Sequence, residues 1–137
     1  MIIYIQIIYL LICIAEAWLE QAVIYLKSPT SFRYETWNKK EHARSAVYAI
    51  SVGLSLAAFP AIYGDIVQTV ILIPLIFFIR RIGFDFVLKL FRGRRISDIE
   101  GNAFVDREIR NILGPKGGWY ELLICIVIVS IVNYLAL

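Results

Sequence analysis

Histidine occurs once in this chain (His42), cysteine twice (Cys13 and Cys125) and methionine only at position 1. Two cysteines make no disulfide framework and there is no C-x-x-C pair. Both lie inside apolar runs, where a thiol behaves as a small hydrophobe. There is no H-E-x-x-H, no Walker A loop and no nucleophile elbow. The Glu-x-x-His spacing of di-iron helical bundles is also absent. Internal repeats, low-complexity tracts and a second domain are not visible. The apolar N-terminal run lacks a basic n-region and a clear cleavage site, so it is expected to be a retained first span. Ala15-Glu16-Ala17 is the one segment that mimics a cleavage box.

Charge is scarce too, at 18% of residues against 60% hydrophobic. A soluble domain is nearer half apolar and a quarter charged. The apolar residues come in blocks, and roughly 20 of them cross a ~30 Å hydrocarbon core. The blocks predict an all-α integral membrane four-helix bundle in a single domain, with spans over about 2–25, 42–63, 66–91 and 119–137. On the first span Tyr9, Cys13, Glu16, Glu20 and Lys27 share approximately one face. Ser28-Pro29-Thr30-Ser31 is expected to stop it, with a polar, basic loop to Glu41 carrying Arg33, Lys39 and Lys40. The second span carries Ala49, Gly53 and Ala57 at intervals of four, a small-residue ridge that admits another helix and would serve self-association. Asp65 is placed to cap the third span, and Pro74 is expected to kink it. Only ~14 residues separate Asp65 from Arg80, so Arg80 and Arg81 must snorkel or face a polar interior while the helix continues towards Phe91. The i,i+4 pairs Arg81–Asp85 and Asp85–Lys89 would support that extension. Residues 102–113 read as a short amphipathic cytoplasmic helix between spans three and four, with Asn102 as N-cap and Gly114-Pro115 as the stop. Lys116-Gly117-Gly118 is expected to be a flexible joint.

All fourteen lysines and arginines fall in Lys27–Arg44 or Arg80–Lys116, with none in the Pro60–Asp65 turn or at either end. The positive-inside rule then puts both long loops in the cytoplasm and both termini outside. Anionic lipid headgroups are the expected partners of the basic loops, and nucleic acid is not expected beside a bilayer.

Glu16, Glu20, His42, Asp85 and Glu121 all fall near the cytoplasmic ends of their spans. Ionisable groups in spans are costly enough to point to function. Glu16, Glu20, His42 and Asp85 are ligand types for a divalent metal in a bundle. Arg44, Arg80, Arg81, Lys89 and Arg92 are available at the same level, and carboxylate–guanidinium pairs would instead lock the helices together. Arg92, Arg94 and Arg95 flank Gly93 and could hold a lipid phosphate, or simply fix topology.

The pattern Phe84-Asp85…Arg92-Gly93…Gly101…Asp106 covers about a sixth of the chain. On it the chain resembles small multi-span membrane proteins of Bacteroidetes and their phages, to which no activity is attached. Lys89 stands where that pattern has Asn. The resemblance implies a multi-span membrane architecture, and transfers no catalytic residue. The expected location is a bacterial inner membrane. Three functional classes follow. The favoured one is a non-enzymatic membrane component whose polar cluster binds a cation, a lipid phosphate or a partner. The others are an oligomeric channel, transporter or holin-like permeabiliser, and a metal-dependent enzyme acting on a lipid headgroup.

Overall fold

A computed structural model describes the backbone of residues 1–26, 32–97 and 104–136, and the side chains in them other than those of 24–42, 104–105 and 136. The described residues form helices joined by turns and short irregular links, with no strand among them. The order is α1 (Ile2–Leu26), α2 (Phe32–Ile62), α3 (Ile66–Arg80), a π-helical stretch (Arg81–Phe86), α4 (Val87–Phe91), α5 (Phe104–Leu113) and α6 (Gly118–Ala136). Three segments, Ile2–Val23, Ala43–Ile62 and Gly118–Leu135, are long and apolar enough to cross a membrane. They and α3 leave large apolar side chains open, among them Leu11, Trp18, Val47, Phe77, Leu123 and Ile131. So much exposed apolar surface is foreign to a soluble monomer, and suggests a membrane protein.

Helix α2 begins about ten residues before the expected start of the second span. The segment expected to be a basic loop, 32–41, has helical backbone. It contains neither Pro nor Gly and is rich in Glu and Lys, so nothing in it stops a helix. Pro60 sits in the last turn of α2 and offers its carbonyl to the N–H groups of Tyr63 and Asp65, both at 3.0 Å. Gly64, at φ +83°, allows that reversal. Asp65 then caps α3 as expected, its side chain accepting from the Gln68 N–H at 3.0 Å.

Helix α3 runs without interruption through the π stretch into α4. The N–H of Arg81 is shared between the carbonyls of Phe77 and Phe78. The combined helix ends where the sequence indicates. Arg94 N–H reaches Lys89 O at 2.9 Å, Gly93 N–H reaches Leu90 O at 3.0 Å, and Gly93 has φ +64°. That is a Schellman cap, which needs a residue tolerant of left-handed backbone.

Every fourth or so residue of α1 faces inward. Ile2, Ile5, Tyr9, Cys13 and Ala17 are buried with Ala57, Leu72, Leu75, Ile76, Ile79, Phe84 and Leu88. The predicted polar face of α1 is thus the packed one. The small-residue ridge of α2 packs within the same chain: Ala49, Gly53 and Ala57 are all buried. A Cβ on Gly53 would come within 2.7 Å of both Ile76 and Tyr9, and the Tyr9 hydroxyl donates to the Ala49 carbonyl at 3.1 Å. The ridge is therefore packed against α1 and α3 of the same chain. Gly83 plays the same part in the π stretch, where a Cβ would lie 2.8 Å from Leu10 and 2.9 Å from Cys13.

The expected flexible joint before α6 is a packed turn. Gly117 and Gly118 are buried, Gly117 N–H donates to Gly114 O at 3.1 Å, and Gly118 N–H donates to Ser97 O at 2.9 Å. A side chain on Gly118 would collide with the Ile96 backbone. Close approach, not chain freedom, explains these two glycines.

Candidate functional site: a charged lock at one end of the bundle

Successive residues of a helix point roughly 100° apart. Arg80 and Arg81 therefore serve different neighbours. The Arg80 guanidinium grips Glu16 of α1 with both ends of its fork, Nη1 to Oε2 at 2.6 Å and Nη2 to Oε1 at 3.2 Å. It also lies 4.5 Å from the centroid of the Phe84 ring. The Ser45 hydroxyl, from α2, donates to the same carboxylate. Three elements thus meet on Glu16, whose side chain is only 12% exposed.

Arg81 turns the other way and meets three carboxylates at once. Nη1 donates to Asp85 Oδ2 at 3.0 Å, one turn along the same helix. Nε donates to Glu121 Oε1 of α6, and Nη2 to Asp106 Oδ1 of α5. One planar guanidinium, with five N–H donors in a fixed fork, can tie three elements in this way where an ammonium could not. Lys89, expected beside Asp85, instead places its ammonium 4.9 Å from the centroid of the Phe86 ring. Further along, Arg92 reaches back to Glu20 of α1 at 3.0 Å.

The sequence-derived metal candidates are thus divided among three arginines. Glu16 is held by Arg80, Glu20 by Arg92 and Asp85 by Arg81. The His42 side chain lies outside the described residues. Among the described residues no three His, Cys, Asp or Glu side chains converge on a common point suited to a metal. The donor set fits charge pairing better than coordination, because each carboxylate already faces a guanidinium. Arg92 is partly covered by its pair with Glu20, whereas Arg94 and Arg95 are exposed.

Three polar pairings escaped the sequence reading. Asp106 lies 25 residues beyond Arg81, and Ser45 lies 29 beyond Glu16, so no local spacing pairs them. At the opposite end of the bundle, Gln6 of α1 and Asn133 of α6 exchange amide hydrogen bonds, both at 2.8 Å. A signal for this pair was present: Gln6 is the only polar side chain other than tyrosine hydroxyls and Cys13 between Ile2 and Ala15. In an apolar environment a lone amide needs a partner, and the best partner is another amide.

What fold and site define together, among the described residues, is an all-helical arrangement with three apolar helices of membrane-crossing length, tied at one end by arginine–carboxylate pairs. No family model, curated protein or solved structure matches it.

Proposed function

We propose that this chain is a four-span membrane protein of the bacterial inner membrane. It acts as a non-enzymatic component, docked through its cytoplasmic basic surface on anionic lipid headgroups. The single observation that carries the reading is the collection of ion pairs at one end of the bundle. Glu16–Arg80, Glu20–Arg92 and Arg81–Glu121 tie the end of α1, the end of the third helix and the start of α6. Every Lys and Arg falls in the two chain segments adjoining that end. In this reading Ile66–Phe91 is the third span, and its uncharged part is short for a bilayer. Arg80 and Arg81 lie at interfacial depth, their charge met by partners from neighbouring helices. The amphipathic α5 lies along the cytoplasmic face, and Arg94, Arg95, Arg107 and Lys116 are exposed around it. Each such base adds about 1 kcal/mol of attraction to an anionic leaflet.

Single-cysteine variants at Lys39, Tyr63 and Arg94, made with Cys13 and Cys125 replaced by Ser, test topology in spheroplasts. A membrane-impermeant maleimide is expected to label position 63 alone. Labelling of 39 and 94 from opposite sides of the membrane would refute the architecture. With topology established, Arg94→Glu/Arg95→Glu should reduce capture of the reconstituted protein by phosphatidylglycerol vesicles but not by phosphatidylcholine vesicles.

A further inference from the structure

Between α3, α5 and α6 lies a cavity of about 280 Å³, bordered by Phe77, Phe78, Ile109, Leu113, Ile124 and Cys125, with Arg81 and Glu121 at one end. Its walls are otherwise apolar. The volume is roughly twice the ~150 Å³ that admits benzene, enough for a segment of one hydrocarbon chain and too small for a two-chain lipid. Glu121 is 4% exposed. Its Oε1 receives Arg81, while Oε2, also buried, meets no donor among the described residues. A buried carboxylate oxygen left in this way costs free energy that a donor would recover.

The charges select the kind of donor. Asp85, Asp106 and Glu121 carry three formal negative charges and share Arg81. Among the described residues Lys89 also lies near them, its ammonium over the Phe86 ring. A carboxylate oxygen accepts most strongly from a charged donor, so a cationic head suits the unmet side of Glu121 better than a neutral one. Along the helices that border the cavity, Ile124 and Cys125 follow Glu121 by one turn on α6, and Phe77 and Phe78 precede Arg81 by one turn on α3, so the charged pair lies to one side of the apolar lining. Polar end outward and apolar end inward is how a single-chain amphiphile lies in one leaflet.

We propose that this cavity is a binding site for a lipophilic ammonium, its tail between α3 and α6 under Ile109 and Leu113 and its head donating to Glu121 Oε2. The proposal uses the membrane reading only to choose a lipid-like ligand, so it can fail while the topology stands.

The test uses the full chain in nanodiscs, with dodecylamine, dodecanol and dodecanoate as probes and empty nanodiscs as the baseline for partition. Dodecylamine should bind saturably, about tenfold tighter than dodecanol, because a charge-assisted hydrogen bond replaces a neutral one. Dodecanoate should not bind above baseline. A dodecylamine carrying a tail diazirine should crosslink to peptides of α3, α5 or α6 that border the cavity. Glu121→Gln should remove the preference for amine over alcohol. Because that variant also weakens the tie to Arg81, Leu113→Trp is the second variant: it fills the cavity, leaves Glu121 in place and should abolish crosslinking. Equal binding of all three probes, crosslinks spread over the lipid-facing surface, or no saturable binding because water alone satisfies Glu121 would each overturn the proposal.

Discussion

Replacing Arg81 is the most informative single change, because one side chain holds α5 and α6 to the third helix. Its three bonds go to three different carboxylates, two of them on other elements. The side chain is 19% exposed, so solvent screens it only in part. Each charge-assisted hydrogen bond contributes about 1.5–3 kcal/mol. Arg81→Met removes all three and leaves Asp85, Asp106 and Glu121 without the guanidinium that pairs them, for which a loss of about 3–5 kcal/mol is expected. Arg81→Lys keeps the charge and loses the fork. A point charge can serve one carboxylate well and the others poorly, so roughly half that loss is expected. The quadruple variant Arg81→Met/Asp85→Asn/Asp106→Asn/Glu121→Gln should regain much of the stability, since the uncompensated charges are gone. Unfolding in mixed micelles, followed by helical circular dichroism as the denaturing detergent fraction rises, gives the differences. Protease cleavage around α5 should also quicken in Arg81→Met before global unfolding, because Asp106 is the charged tether of that helix. An Arg81→Met protein within ~0.5 kcal/mol of the parent, the range of an ordinary surface substitution, would show that the cluster is not a lock.

Two further outcomes follow from the packing. Gly53→Leu should lower stability by about 1–3 kcal/mol or more through overlap with Tyr9 and Ile76, with the particle size in detergent unchanged; a changed oligomeric state at unchanged stability would mean that the ridge meets a second copy. Gln6→Leu or Asn133→Leu alone should cost about 0.6–1.7 kcal/mol, and the double variant less than the sum of the two, as a double-mutant cycle in the same micelles would measure.

Much of this structure is legible in the residues because it depends on local chemistry. Asp65, Gly93 and Gly114-Pro115 mark helix ends with side chains and backbone needs that act within a few positions. The buried face of α1 follows from spacing alone, and so does the ridge of α2. The extent of α2 was misread because the basic composition of 32–41 suggested a loop, although charge does not stop a helix when Pro and Gly are absent. The glycines before α6 were misread for the converse reason. Gly is permissive in isolation, and only the approach of Ile96 and Ser97 shows that here it is needed for its small size. The site was half legible. That acids and arginines would share one end follows from where they fall in the apolar blocks. Arg81–Asp85 follows from its i,i+4 spacing, but the other pairings do not, because Asp106 and Glu121 join Arg81 only once α5 and α6 are packed.

The wide turn at Arg81–Phe86 sets the phase of everything after it on that helix. A π turn holds one residue more than its α counterpart, so the side chains beyond it are turned by roughly 100° from where an unbroken α-helix would send them. Arg92 faces Glu20 on α1 in that shifted register. Losing a single residue within Arg81–Phe86 would return the turn to α geometry with Arg92 still facing α1, whereas gaining one more would swing Arg92 away from Glu20. The π turn can thus give up a residue without moving Arg92, while a residue added to the helix would break its pairing with α1.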